Sequence, residues 1–324
     1  MEIKQPRIAI LMAIYEPRMD WLEKQLKSLN AQTYPNISLF IRDDGSPTVP
    51  FEEIRSAIQK CITNIPFSIF RNKENLGSNK TFELLTQEAN GDYFAYCDQD
   101  DIWLPEKLTV LQETIEREHA VLACSDMLVI DAEGRQIADS ITKVRKRHVF
   151  QSGDHLAPQL IVTNFVTGCT MLIRAGLAKE AIPFCPYMVH DHYLAFYAAT
   201  KGKIISLPDS LVQYRLHGNN QSAVMAGVHD KESYYQIRIK RFCDRVQWLM
   251  AHFRENEKLT RELHEAAQWA TARENYFRGE QGMKQMIWNY RHFNKAFSLF
   301  EIVAVPLPEK VFMLSVRLIQ KGFL

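Results

Sequence analysis

Asp98, Asp100 and Asp101 crowd into one short turn, in the segment Ala95-Tyr96-Cys97-Asp98-Gln99-Asp100-Asp101-Ile102-Trp103. The apolar, aromatic run Tyr93 to Cys97 before them reads as a buried strand, and Leu104-Pro105 after them is a helix-start signal. Acids so placed need a cation. Because one residue separates Asp98 from Asp100, both side chains point the same way from an extended backbone, the arrangement that grips a Mg²⁺ or Mn²⁺ ion holding a diphosphate. In open α/β sheets the crevice at the carboxyl ends of the strands is where ligands bind. An acidic helix N-cap is the competing reading, since a lone D-x-D matches many chains by chance.

Companions elsewhere in the chain favour chemistry. The strand-like Ile37 to Ile41 stops at Arg42-Asp43-Asp44-Gly45-Ser46-Pro47, a second acidic loop just after a predicted strand. Asp191 stands between His190 and His192 at the start of a helical pattern running to Ala199, so it can project from a helix N-terminus as a general base for an attacking hydroxyl. A simple N-cap role for Asp191 is compatible with that. Beyond the strand-like Ser210 to Tyr214 come Arg215, His217 and the turn Gly218-Asn219-Asn220. Arg215 and that turn offer a guanidinium and backbone N–H groups to a diphosphate. A lone histidine such as His217 is more often structural than a ligand.

The elements that must position these groups follow from periodicity. Strands are predicted at Arg7 to Ile14, Ile37 to Ile41, Phe67 to Phe70, Tyr93 to Cys97 and Ala120 to Cys124, with helices at Met19 to Ala31, Phe51 to Cys61, Asn79 to Ala89 and Pro105 to Glu118 between them. Such alternation is the signature of βαβ units and a parallel sheet. After Asp126 the pattern changes to a hairpin turning at Glu133-Gly134 and a basic loop, Lys143-Val144-Arg145-Lys146-Arg147-His148. That loop reads either as a solvated surface run or as a lid or contact to a diphosphate-linked acceptor. From about Val228 the chain is charged and helix-rich, with amphipathic helices predicted at Tyr234 to Phe253, Leu259 to Phe277 and Met283 to Leu299.

With these motifs in order, the chain resembles the family 2 glycosyltransferases, nucleotide-sugar-dependent enzymes of the GT-A fold, from Arg7 to about Ser222. The resemblance runs through Tyr15-Glu16-Pro17, Gln32-Thr33-Tyr34-Pro35-Asn36, Asp43-Asp44-Gly45-Ser46 and Asn72 to Gly77. Asp98 to Trp103, His190-Asp191-His192-Tyr193 and Tyr214-Arg215-Leu216-His217 look most like bacterial rhamnosyltransferases of cell-surface polysaccharide assembly. The resemblance implies that Asp43 recognises the base through its imide N–H, that Asp44 lies near the ribose and that Asp98 sits beside ribose and metal. It also implies that Asp101 supports the loop or adds a ligand through water, and that His217 contacts metal or diphosphate. Asp100 is the expected principal metal ligand. A Glu-Asp pair is usual in the family where this chain has His190-Asp191, which leaves the base at Asp191 and the role of His190 open.

The expected fold is therefore α/β, a GT-A Rossmann-like, mainly parallel sheet flanked by helices with a helical C-terminal extension. The expected domains are a catalytic domain over residues 1–227 and a helical region over 228–324 for packing, membrane-surface contact or oligomer contact. The expected activity is an inverting, metal-dependent hexosyltransferase moving L-rhamnose from dTDP-L-rhamnose to a hydroxyl of a surface polysaccharide or lipid-linked glycan. Another hexosyltransferase using a UDP-sugar is the alternative enzyme, and a non-catalytic nucleotide-sugar-binding protein the alternative class. A nucleotidyltransferase would carry a Gly-rich phosphate loop after the first strand, where this chain has Ala13-Ile14-Tyr15-Glu16-Pro17.

Composition is consistent with an ordinary globular enzyme: 324 residues, 46% hydrophobic, 24% charged and a formal net charge of +1, which gives no global field for nucleic acid. Six scattered cysteines without a C-x-x-C pair indicate neither a zinc site nor a disulfide framework. The N-terminus lacks the apolar core of a secretory signal and Phe297 to Leu307 is too short to span a bilayer of ~30 Å, so a cytoplasmic location is expected. Peripheral contact with the inner face of the plasma membrane enters through an apolar C-terminal face flanked by Arg291, His292, Lys295, Lys310, Arg317 and Lys321, with homo-oligomer contact as the other use of that face.

Overall fold

The computed structural model describes residues 5–217, 225, 227–254 and 257–320. Along the chain run β1 (Ile8–Ile14), α1 (Met19–Asn30), β2 (Ile37–Asp43), α2 (Phe51–Cys61), β3 (Phe67–Arg71), α3 (Ser78–Glu88), β4 (Tyr93–Cys97), β5 (Ile102–Trp103) and α4 (Lys107–Glu118). There follow β6 (Leu122–Ile130), β7 (Gln136–Ala138), α5 (Ile141–Val144), α6 (Ala157–Leu160), β8 (Met171–Arg174), α7 (Ala175–Glu180), α8 (His190–Lys201) and β9 (Ile204–Arg215). The last stretch is helical: α9 (Lys231–Tyr234), a π-helical segment at Tyr235–Lys240, α10 (Arg241–His252), α11 (Glu257–Phe277), α12 (Met283–Asn289), α13 (Lys295–Ala304) and α14 (Glu309–Gln320).

One compact unit comprises residues 1–156, 164–184 and 189–217; the other comprises residues 157–163, 185–188 and 218–324. In the first, the strands form one sheet in the order β3-β2-β1-β4-β8-β6-β9-β5, with β7 paired to β6. β1, β2, β3 and β4 pair in parallel. β1 and β4 are almost wholly buried, as strands covered on both faces must be, which is why they read as unbroken apolar runs. Register then does the positioning. Ile14 lies opposite Asp43 and Met12 opposite Cys97, so the loops after β1, β2 and β4 leave the sheet side by side at one end.

The far half of the sheet departs from a simple parallel series. β8 runs antiparallel to both β4 and β6, while β6 and β9 are parallel to each other. β8 has four residues and enters from a one-turn 3₁₀ helix at Gly168–Thr170, so no crossover helix forces it parallel. Between the acidic turn and α4 lies β5, which pairs antiparallel with β9, Ile102 opposite Gln213. This pairing brings the end of β9, with Arg215 and His217, back beside the acidic turn.

The second unit is built from helices. Its centre is a buried ion pair in which Arg273 on α11 donates from Nε and NH2 to the two oxygens of Glu301 on α13, both at 2.7 Å. The Tyr234 hydroxyl donates to the same carboxylate at 2.7 Å, and the Arg273 guanidinium lies over the Trp269 ring. The helix predicted from Met283 to Leu299 is two helices, because Asn294 caps the second with its side chain, accepting from Phe297 N at 3.0 Å. Lys321 lies outside the described residues, as does the Gly218-Asn219-Asn220 turn.

Candidate active site

The acidic turn is fixed by its neighbours. Gln99 clamps the loop after β1, accepting from Tyr15 N at 2.8 Å and donating to Tyr15 O at 3.0 Å. Asp100 Oδ2 lies 2.8 Å from His217 Nε2, a contact between residues 117 apart in sequence. The His217 ring packs against Trp21 on α1 at 5.1 Å. Asp101 is buried and accepts from Arg215 N at 3.0 Å. Arg215, expected to reach a diphosphate, is fully buried beneath the turn: Nε donates to Asp100 O at 2.8 Å and NH1 to Asp131 O at 3.0 Å. Its guanidinium therefore ties the acidic turn to the β6–β7 hairpin.

Charge at this strand end is strongly unfavourable without a counter-ion. Burial pushes the Asp98 carboxyl well above its usual range, and the charges of Asp101, Asp100 and Asp191 push the same way. Burial, then the charge of Asp100, raises Asp101 to about 7. Besides the Arg215 guanidinium, the chain brings a lysine to this strand end. Lys107, at the start of α4, is wholly buried, donates from Nζ to Cys169 O at 2.6 Å and sits over the Trp103 ring; burial lowers it to about 7.

Two donor sets compete for a metal. Asp98, Asp101 and Cys169 each place a ligand atom within 4.8 Å of the others. Burial holds the Cys169 thiol well above its usual value, so it stays protonated, and sulfur is a poor partner for a hard cation. One Asp101 oxygen is already taken by Arg215 N. Asp98, Asp100 and His217 are only partly buried and offer donor types suited to Mg²⁺ or Mn²⁺; Asp100 and His217 meet at 2.8 Å, whereas among the described residues the ligand atoms of Asp98 converge with Asp101 and Cys169, so an ion would have to draw the three together. Asp101 Oδ2 is buried without a hydrogen-bond partner.

The turn after β2 is a relay of hydrogen bonds. Glu16 N donates to Ser46 Oγ at 2.9 Å, and that hydroxyl donates to Asp43 Oδ1 at 2.6 Å. Asp43 is fully buried, and its Oδ2 faces Arg71 Nε at 3.1 Å without a hydrogen bond in good geometry. Asp44, expected near a ribose, is bonded to the chain: Oδ1 accepts from Asn72 Nδ2 at 2.7 Å and Leu76 N at 2.8 Å, and Oδ2 from Gly77 N at 2.9 Å. It thereby folds the 72–77 loop over the turn. Gly45 is required directly after these acids, since φ is +74° and a Cβ would lie 2.8 Å from the Glu74 carbonyl carbon.

Asp191 sits in the first turn of α8 with both oxygens held. Oδ2 accepts from Gly168 N at 2.9 Å, and Oδ1 from His192 N at 2.5 Å and Asn164 Nδ2 at 3.2 Å. Burial nevertheless outweighs these bonds and lifts the carboxyl to about 6, a value suited to taking a proton near neutral pH. The His190 ring packs against Phe82 at 4.0 Å and Tyr96 at 5.4 Å, and burial lowers it to about 3, so it is neutral. Its Nε2 would lie 2.7 Å from a Cβ at position 168, so Gly168 is required where it binds Asp191.

Gln99, Lys107 and Trp21 act on the site without having been singled out in the sequence. Each does so through a partner more than sixty residues away, which no local spacing reveals.

Residues 10–180 match the family described as Glycosyl transferase family 2. A dTDP-rhamnosyl transferase of Shigella flexneri is 28% identical over 238 residues, covering 68% of this chain and 76% of that protein. An uncharacterized glycosyltransferase of Nostoc sp. is 25% identical over 242 residues, 72% of each chain. Among solved structures, residues 1–349 of S. aureus TarS in complex with UDP-GlcNAc superpose with a TM-score of 0.58 at 15% identity, over 98% of this chain and 88% of that one. A mannosyltransferase of Pyrobaculum calidifontis in complex with GDP-Man and Mn²⁺ gives 0.56 at 14% identity, over 93% and 86%.

Proposed function

The chain belongs to glycosyl transferase family 2, with the GT-A fold, and we propose that it moves L-rhamnose from dTDP-L-rhamnose to an acceptor hydroxyl with inversion at the anomeric carbon. The observation that carries the reading is the Asp100–His217 contact, which joins two distant motifs at the strand end where Asp98 also emerges. The dTDP-rhamnosyl transferase similarity supports the choice of donor.

In this reading Asp191 accepts the proton of the acceptor hydroxyl as its oxygen bonds to the anomeric carbon. The bond from that carbon to the diphosphate oxygen breaks, and the leaving nucleoside diphosphate keeps the electron pair. No side chain bonds to the sugar, so one displacement inverts the centre. Asp98, Asp100 and His217 would hold a divalent cation, which when bound would neutralise the charge of the leaving diphosphate. Asp43, stabilised by Ser46 and Arg71, faces the base, while Asp44 and Arg215 hold the two loops in place.

The helical unit is read as a membrane-surface contact. Leu299 and Val303 on α13 and Val311, Leu314 and Leu318 on α14 are exposed at 37–59%, in i, i+4 and i, i+3, i+7 series. Exposed Lys295, Lys310 and Arg317 lie on the same two helices, a charge pattern complementary to anionic headgroups. No described helix is long and apolar enough to cross a membrane.

The test of the reaction is a donor panel of dTDP-L-rhamnose, UDP-sugars and GDP-mannose with Mg²⁺ and Mn²⁺. dTDP-L-rhamnose should be hydrolysed or transferred fastest; turnover of a UDP-sugar alone would overturn the donor choice.

A further inference from the structure

We propose that Lys107 is a positioning residue for the transfer step: it anchors the Gly168–Thr170 turn that holds Asp191, and so sets the spacing between the base and the acidic turn. The inference rests on Asp191 being the base.

A lysine is a costly core residue at this position. Its side chain is wholly buried, and the ammonium spends its contacts on a carbonyl and a ring: Nζ donates to Cys169 O at 2.6 Å and lies over Trp103. Burying a charge against neutral partners opposes folding, and an apolar side chain of similar volume would pack there without that cost. Fold stability alone therefore does not account for the lysine.

The turn it grips cannot complete its own hydrogen bonding. Gly168–Thr170 is a single 3₁₀ turn, closed by Thr170 N and Thr170 Oγ1, which donate to Thr167 O at 2.9 and 2.8 Å, and by Met171 N, which donates to Gly168 O. Cys169 O is left over. β8 begins at Met171, so no strand ladder supplies a donor for it, and Lys107 does.

On either side of that carbonyl the turn meets both halves of the site. Gly168 N donates to Asp191 Oδ2 at 2.9 Å, and Cys169 Sγ lies within 4.8 Å of carboxylate oxygens of Asp98 and Asp101. Lys107 itself belongs to the acidic side, since only Leu104, Pro105 and Glu106 separate it from Trp103 at the end of β5. The ammonium, the Cys169 carbonyl and the Gly168 N–H thus form a short path from the acidic turn to the base. A displacement of about 1 Å in such spacing costs a transfer step roughly 10²-fold.

Two measurements on the full chain test the role. Amide hydrogen exchange reads the turn without any activity: Lys107→Met should speed exchange at Gly168 about ten-fold or more, while β1 and β4 stay as protected as in the native chain. Release of dTDP from dTDP-L-rhamnose, with water as the acceptor, reads the consequence. Lys107→Met should lower kcat by about 10- to 100-fold with the donor KM nearly fixed. In an Asp191→Asn background it should lower kcat by less than about two-fold more, because both changes remove the same function. Unchanged exchange at Gly168, a native kcat, or an equal loss in both backgrounds overturns the positioning role. Lys107→Gln, which keeps a shorter, uncharged donor, should show the same pattern with smaller losses and carries the test if Lys107→Met fails to fold. An Asp191→Asn chain as active as the native one would instead sink the base assignment. A native chain that releases no dTDP would sink the donor reading, and the exchange result then judges the turn by itself.

Discussion

At the scale of the residue, Asp191 carries the sharpest consequences. Asp191→Asn keeps the side chain's shape, replaces one accepting oxygen by an NH₂ and removes the basic lone pair, so kcat should fall by ~10²–10⁴-fold while the donor dissociation constant stays nearly fixed. Its carboxyl is lifted to about 6, so the native rate should decline as pH drops through about 6, where the group takes up a proton and can no longer accept one. A rate independent of pH between 5 and 7 would place the base elsewhere. Asp43→Ala should cost about 1.5–3 kcal/mol in nucleoside diphosphate binding, read by calorimetry, from the loss of one charge-assisted hydrogen bond. The identities of the acids were legible in the sequence because carboxylates at strand ends stand out against apolar runs. What their oxygens touch was not: Asp44 and Arg215 looked equally like ligand-binding groups, yet their hydrogen bonds run to backbone brought in from 32 and 84 residues away.

Elements were readable where burial is continuous. β1 and β4 are apolar at every position, and α1 shows its buried face at Leu22, Leu26 and Leu29, so composition and period sufficed. β5 and β8 escaped because runs of two and four residues carry no period, and their pairing is set by partners far along the chain. In the helical unit, the split before α13 depended on a single Asn cap. The ion pair there gives a stability test: Arg273→Ala leaves Glu301 buried at 1% exposure without its bidentate partner, which should cost about 3–5 kcal/mol and lower the melting temperature of that unit. A variant that melts with the native protein would show the pair to be dispensable. Flotation with liposomes tests the surface of α13 and α14. Binding should rise with anionic lipid and fall with salt, and Leu314→Ser with Leu318→Ser should reduce it; retention unaffected by either would reject membrane contact.

For the whole molecule, the proposed chemistry rests on the strand-end arrangement in which the acidic turn, with its Asp100–His217 contact, leaves the sheet beside the loops after β1 and β2. The sheet's register puts those loops together, and the return of β9 beside β5 delivers His217. The most direct measurement is release of dTDP from dTDP-L-rhamnose by the native chain and by Asp100→Asn, each in Mn²⁺ and in EDTA. The native chain should release it in Mn²⁺ and lose the activity in EDTA, and Asp100→Asn should be inactive in both. Equal release in Mn²⁺ and EDTA, unaltered by Asp100→Asn, would contradict a cation-dependent transferase built on this strand end.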